Sequence, residues 1–508
     1  MEPPCRNNSI EEEASPLLSG HQRIQNGCPA EENEANRGSL PRVFHRVTVL
    51  LTAVLFVITM GSGLLAIPTL RVLEDIICQR QLRVGALSGH VGENECKGDA
   101  VQAELSFVVG IQSMVEAIPS LFLAVPYGLL ADRIGRRPVL ALSIAGMNIA
   151  LVWMMMAMRL GNILPIWTIW TSAAWQIVGG GSSVMISMVY SMIADVETAD
   201  TRANAFYMVI VGGLFANLIA VPVSAQLMQH SPWIPLLGGL GLVVAGCAGV
   251  AFVPETLRAA KNPCSIPDEC DGETDRSHGS FIGGVKRHLS RTMAELRSST
   301  AMLRSGAIVA LVFTFCVQGF TESAASFTVQ YLSKRFHWPL SRAGMLFSVG
   351  TLINILLHLV ILPGCSWIMV SPRFMFRCRP ETKDVMLARS SALLLVLGSF
   401  LLAWPSLPAV VSGLVIFTLG SGFQSLCRAL VTTLIDSEHT ARLYTLIGVV
   451  LAFSSLASGP VIAWLFSKGL QLGGYWIGLP YFGVTLLCCI AALAVFVARL
   501  PPLPAVAE

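Results

Sequence analysis

This chain is dominated by a succession of apolar runs, each about as long as a bilayer core is thick. A hydrocarbon core about 30 Å across takes about 20 apolar residues as a helix. About twelve such runs recur, at 44–69, 104–130, 139–158, 166–194, 204–228, 233–253, 306–331, 343–363, 386–405, 408–434, 442–466 and 475–498. Lipid offers no partner to an unpaired backbone N–H or C=O, so repeated crossing requires helices. Composition agrees: of 508 residues 54% are hydrophobic and 13% charged, with mean hydropathy +0.65. The expected fold class is an all-α membrane protein with two six-helix halves.

Charge then sets orientation. The net charge of +3 gives no support to nucleic-acid binding. Arg133, Arg136 and Arg137 follow the second run, the stretch from Arg258 to Arg304 follows the sixth, and Arg373, Arg377, Arg379 and Lys383 follow the eighth. The loops after the fifth and ninth runs contain no Lys or Arg. By the positive-inside rule the basic loops and both termini are cytoplasmic. The expected organisation is a disordered tail at 1–43, helical bundles at 44–253 and 306–498, a cytoplasmic linker at 254–305 and a short tail at 499–508. The linker's basic end reads as an amphipathic surface helix. Glu13 to Leu18 matches an acidic dileucine sorting pattern. It sets a vacuolar or endosomal address against the plasma membrane, which is the main expectation.

The 13 cysteines have no metal-ligand spacing, and five of them lie inside apolar runs. Cys78 and Cys96 share the first non-cytoplasmic loop, where either a disulfide or two free thiols is open. No phosphate-binding loop, nucleophile constellation or metal cluster is present. ATP-driven pumping and enzymatic catalysis lack support, and no cofactor is expected.

Two carboxylates stand out. Glu116 and Glu322 lie inside runs that otherwise span lipid, where a charge costs roughly 2.5–3.5 kcal/mol on insertion scales. Gln112, Ser113 and Ser120 fall within a turn of Glu116, and this grouping suits a proton-coupling site. Thr314, Gln318, Glu322, Ser326 and Gln330 recur every four residues and form one polar stripe. Such a stripe faces water or protein; the plain alternative is an interhelical hydrogen-bond seam. Gln424, Arg428 and Thr432 repeat the device. Arg428 serves as an anion contact, as the partner of Glu322, or as a snorkelling side chain. Trp175 is placed on the cavity, whereas Trp153, Trp167, Trp170 and Trp233 are assigned to the interfacial belt. His358, one turn from Asn354, reads as a hydrogen-bonded histidine or a titrating one.

Gly128-Leu-Leu-Ala-Asp132-Arg133-Ile-Gly135-Arg136-Arg137 joins the second and third runs. It resembles the signature loop of the major facilitator superfamily, GxxxDxxGRR. In this reading Gly128 allows close helix approach, Gly135 a tight turn, and Asp132 a helix cap or an arginine pair. The resemblance implies a cytoplasmic gate in which Asp132 meets Arg442 and Asp195 completes the cluster. Asp195-Val-Glu197 and Asp436-Ser-Glu438, each followed by Arg and Tyr, echo one another across the halves, as in a duplicated transporter fold. Leu73–Cys78, Gln330–Trp338 and Ala441–Leu446 resemble a fungal facilitator group distantly similar to proton-coupled folate-type carriers. Drug/proton antiporters commonly place an arginine in the fourth span, a few residues before a glycine. Here Trp175-Gln-Ile-Val-Gly179 holds no Arg, and the fifth run lacks the antiporter spacing.

The combined expectation is a monomeric secondary carrier of a small organic molecule. It works by alternating access, with export of a metabolite or toxic compound ahead of uptake, and with protons as a candidate coupling ion. The rivals are proton-coupled uptake of an organic anion and a nutrient sensor that does not transport.

Overall fold

The computed structural model describes residues 40–83, 93–161, 163–256, 306–370, 380–433 and 440–497, and every regular element among them is helical. The dileucine pattern, almost all of the linker, the Asp436–Glu438 echo and the C-terminal tail lie outside the described residues. The long elements are α1 (Leu40–Arg83), α2 (Asp99–Ile134), α3 (Arg136–Arg159), α4 (Ile166–Val196), α5 (Ala199–Leu227), α6 (Trp233–Gly249) and α7 (Gly306–Phe336). They continue as α8 (Leu340–Met369), α9 (Pro380–Ala403), α10 (Leu407–Val431), α11 (Thr440–Leu472) and α12 (Leu479–Val497). Eleven spans are long and apolar enough to cross a bilayer among the described residues. The remaining long helix is α7 (Gly306–Phe336).

Helices α1 and α8 are among those that outrun the sequence expectation. Helix α1 continues to Arg83 rather than ending near 69, because Arg71 and Glu74 pair within it at 3.0 Å and Glu74 is fully buried. Helix α8 runs past 363 through a π-helical segment, Leu357–Ile361.

Helix α4 is broken in mid-span. It advances through short turns to Gln176–Val178, then restarts at Gly181. Gly180 and Gly181 hold φ of 77° and 72°, a region open to glycine at little cost. Carbonyls freed by the break find donors: Tyr127 Oη donates to Ile177 O and Val178 O, and Ser143 Oγ donates to Gly181 O at 2.8 Å.

A disulfide joins Cys78 at the end of α1 to Cys96 in the turn Glu93–Lys97. We call this the disulfide end of the molecule, and the α2–α3 junction marks the opposite, motif end. Between the cavity described below and the disulfide end, α2 crosses α11 at Gly110 and Gly459. A Cβ on Gly110 would stand 2.8 Å from Gly459 O, so the backbones touch. Helices α5 and α8 form the other long contact between the first six helices and the last six.

Candidate transport site

Glu116 lies on the wall of a cavity of about 880 Å³ built by α1, α2, α3, α4 and α11. Gln112, Ser113 and Ser120 line it beside Glu116, as the sequence grouping anticipates. Gln112 Nε2 donates to Glu116 Oε1 at 2.6 Å and to Ser172 Oγ at 3.0 Å. Its Oε1 is buried and has no partner. The break in α4 brings Gln176, Ser182 and Ser183 to the same wall. Trp175 does not line this cavity. Its ring packs 5.8 Å from Trp153, and the neighbouring Gln176 takes the inward position expected of it.

A smaller cavity of about 300 Å³ adjoins at Ala124 and is lined by Gly128, Asp132, Arg136, Ser187 and Ser191. One face of α2 therefore carries Glu116, Ser120, Ala124, Gly128 and Asp132 at steps of four. The facing stretch of α4 carries Ser183, Ser187, Ser191 and Asp195 at the same spacing. The α4 ladder escapes the sequence reading, although three consecutive glycines at 179–181 mark where it starts.

The α7 stripe is graded. Thr314 and Gln330 are buried, Gln318 is half-buried, and Glu322 and Ser326 are exposed. Gln318 Nε2 donates to Glu322 Oε1 at 2.8 Å, repeating the Gln112–Glu116 geometry, and Gln318 Oε1 too is buried without a partner. Ser326 lines a third cavity of about 150 Å³ with Ser113, which also lines the Glu116 cavity. Glu322 lies on the wall of neither. Gln424 Nε2 reaches Thr314 O at 3.4 Å, a seam between α10 and α7. Arg428 is exposed and stacks over Phe315 at 5.8 Å. Its described contact is aromatic rather than a carboxylate. His358 Nδ1 lies 3.0 Å from Asn354 O, the hydrogen-bonded histidine of the plainer reading.

The motif end differs from expectation in its partners. Gly135 turns the chain at φ 107°, and a Cβ there would meet Glu255 Oε2 at 2.5 Å. Glu255 accepts from the backbone N–H of Arg136 at 2.9 Å and of Arg137 at 3.1 Å. The cap of α3 is therefore Glu255, not Asp132, and a carboxylate there also suits the helix dipole. Asp195 pairs with Arg136 at 2.8 Å and accepts from Thr256 Oγ1 at 3.2 Å, instead of joining Asp132. Arg137 donates to Ala251 O at 2.7 Å. Asp132 is exposed, and the side chain of Arg442 lies outside the described residues. Gly128 has nothing within 4 Å of where a Cβ would sit. It opens onto the small cavity rather than admitting a neighbouring helix.

The disulfide end holds a network that the sequence reading does not reach. Lys97 Nζ lies 2.7 Å from Glu74 and 3.3 Å from Glu93, and Gln102 Nε2 donates to Glu74 at 2.6 Å. The last six helices reach into it. Lys334 Nζ pairs with Asp99 at 2.6 Å and donates to Lys97 O at 2.5 Å. Gln330 Nε2 donates to Gln102 O at 3.0 Å, and the Leu340 N–H donates to Glu93 at 2.9 Å. Arg71, Lys97 and Lys334 thus balance Glu74, Glu93 and Asp99, and the bonds across the molecule form a latch over the cavity.

The Major Facilitator Superfamily model matches residues 99–459. This chain belongs to the Major Facilitator Superfamily. It is similar to the MFS efflux pump atnC of Emericella nidulans, at 29% identity over 90% of this chain and 88% of that one. It is also similar to the efflux pump ustT of Aspergillus flavus, at 28% identity over 94% and 93%. Both relatives are named as efflux pumps, not as folate-type carriers, which corrects the finer part of the sequence resemblance. The crystal structure of the human organic anion transporter MFSD10 shares the fold, with TM-score 0.54 and 16% identity over 89% of this chain and 99% of that one.

For this facilitator the buried ions make a testable stability statement. Lys97 is 2% exposed and Glu74 0%. Breaking a buried pair costs roughly 3–5 kcal/mol because a charge is left uncompensated. Arg71 still holds Glu74 at 3.0 Å, so Lys97→Met is expected to cost about 3 kcal/mol, the lower end of that range. Thermal unfolding in detergent should show a clear loss for Lys97→Met. Partial recovery is expected in the double variant with Glu74→Gln, which removes the stranded charge. A single variant as stable as the parent would contradict the assignment.

Proposed function

We propose that this protein is a secondary active exporter of a small organic molecule, working as a monomer by alternating access between bundles 44–253 and 306–498. The observation that carries this reading is a cavity holding Glu116 at membrane depth, closed towards the disulfide end by the latch and adjoined towards the motif end by a second polar cavity. Export is favoured by the names of the two fungal relatives. We place the motif end and both termini in the cytoplasm, on the basic loops, and the protein in the plasma membrane. A fluorescent fusion would separate that address from a vacuolar or endosomal one.

Protons are the proposed driving ion. Gln112 can present its NH₂ to an ionised Glu116 or, turned over, its carbonyl oxygen to a protonated one. The carboxylate therefore keeps a partner in both states. The serine ladder of α4 supplies further polar groups between Glu116 and the motif end.

The test is a screen of labelled solutes in inside-out vesicles carrying the protein, at two external pH values. Uptake of at least one solute, stimulated by acid inside the vesicle, is expected. Specific binding with no accumulation of any solute would point instead to a sensor. Accumulation of an organic anion only in right-side-out vesicles would point to uptake.

A further inference from the structure

We infer that the Glu116 cavity takes an uncharged amphipathic molecule bearing hydroxyl or amide groups, and discriminates against organic anions and organic cations. This rests on the transport reading above and specifies its substrate. The volume, about 880 Å³, suits a drug-sized ligand. Among the described residues that line it, Glu116 alone carries charge, and none is aromatic.

Each feature of the wall excludes a class. A carboxylate, sulfate or phosphate entering would leave water without meeting a Lys, Arg or His there, and an unpaired ion in a low-dielectric site is heavily penalised. Arg428 is not on this wall; it lies over Phe315. The restart of α4 at Gly181 offers only the partial positive charge of a helix start. It sits beside Ser120, since a Cβ on Gly181 would be 3.0 Å from Ser120 Oγ. Ser120 is one turn from Glu116, whose carboxylate opposes an anion at that point. A flat aromatic cation finds no ring to stack against. A fixed cation would also occupy the carboxylate that has to take up and release the driving proton.

What remains on the wall is matched to neutral polar groups. Serines such as Ser62, Ser172, Ser182 and Ser183 each donate and accept, so they satisfy hydroxyls and amides in either sense. Between them lie apolar patches of Leu65, Leu151, Met147 and Met154. Methionine adapts to irregular aliphatic shapes. A molecule with an aliphatic body and several hydroxyl or amide groups can cover both kinds of surface without leaving a polar group unpaired.

The test uses the full chain in lipid nanodiscs at pH 7 and three labelled probes of one size. They are N-octanoylserinamide (uncharged), N-octanoylserine (anionic) and serine N-octylamide (cationic), each corrected for binding to empty nanodiscs. The uncharged probe is expected to bind at least about tenfold more tightly than either charged one, a difference of about 1.4 kcal/mol. Ser183→Ala, which removes a hydroxyl from the wall without adding bulk, is expected to weaken the uncharged probe severalfold. Equal or tighter binding of the anion or the cation would overturn the inference, and so would absence of saturable binding by the uncharged probe. No gradient or flux enters this measurement. Its failure leaves the vesicle assay to judge transport, and absence of flux with the expected probe order would sink the transport reading alone.

Discussion

Glu116→Gln is expected to abolish the response of efflux to a pH gradient while leaving solute exchange across the membrane intact. The substitution keeps size and hydrogen-bonding shape, so the bond from Gln112 at 2.6 Å has a near-equivalent arrangement, and Gln112 keeps its own bond to Ser172 at 3.0 Å. What it removes is the proton site. A one-unit pH gradient is worth about 1.4 kcal/mol per proton exchanged, enough for about tenfold accumulation, and that gain should be lost. Counterflow of a preloaded solute, which needs no proton, should persist. Glu322→Gln is the comparison: Glu322 has the same glutamine clip but lies outside the described cavity walls. Full pH dependence in the Glu116 variant would remove that residue from the coupling.

Gly459→Leu is expected to prevent closure at the disulfide end. A Cβ at Gly459 would stand 2.6 Å from Gly110 O and would also collide with Ser113 Oγ. Serine can rotate away, but a backbone carbonyl inside a helix cannot. Overpacking a fitted contact typically costs about 1–3 kcal/mol. Here relief requires α2 and α11 to separate, which pulls Gln330 from Gln102 and Lys334 from Asp99. Efflux should drop to near background. A cysteine placed at Ser113, which lines two cavities, should become reactive towards a membrane-impermeant thiol reagent added on the disulfide side. Gly459→Ala should give a smaller effect in the same direction. Normal efflux with no gain in labelling would show that this crossing is not the closing contact.

Parts of the site are legible in the sequence for a definite reason. The Glu116 grouping and the α7 stripe are local patterns, and helical periodicity carries them directly into three dimensions. Gly135 is legible because its turn chemistry is local as well. The misassignments share another origin. Asp132 is the nearby candidate for a cap that Glu255 makes, and Glu255 is more than a hundred residues away from Arg136 in the chain. Asp195 is expected at a gate with Asp132, whereas Arg136 at 2.8 Å claims it. Trp175 is expected on the cavity because depth along a span can be counted, while the glycine break that rotates the helix at that point changes which side chain faces inward.

From the amino-acid sequence alone one can read the succession of apolar runs of membrane-spanning length, which loops carry the basic residues, and which carboxylates fall inside those runs. These follow from hydropathy and helix geometry, which act over one or two turns. The tertiary structure decided which charges neutralise one another at the disulfide end, which carboxylate caps α3, and which side chains join Glu116 on the wall of its cavity. Those outcomes depend on contacts between helices distant in sequence. An ion in lipid must be neutralised by whichever partner the packing brings within a few ångströms, and no local pattern encodes that partner.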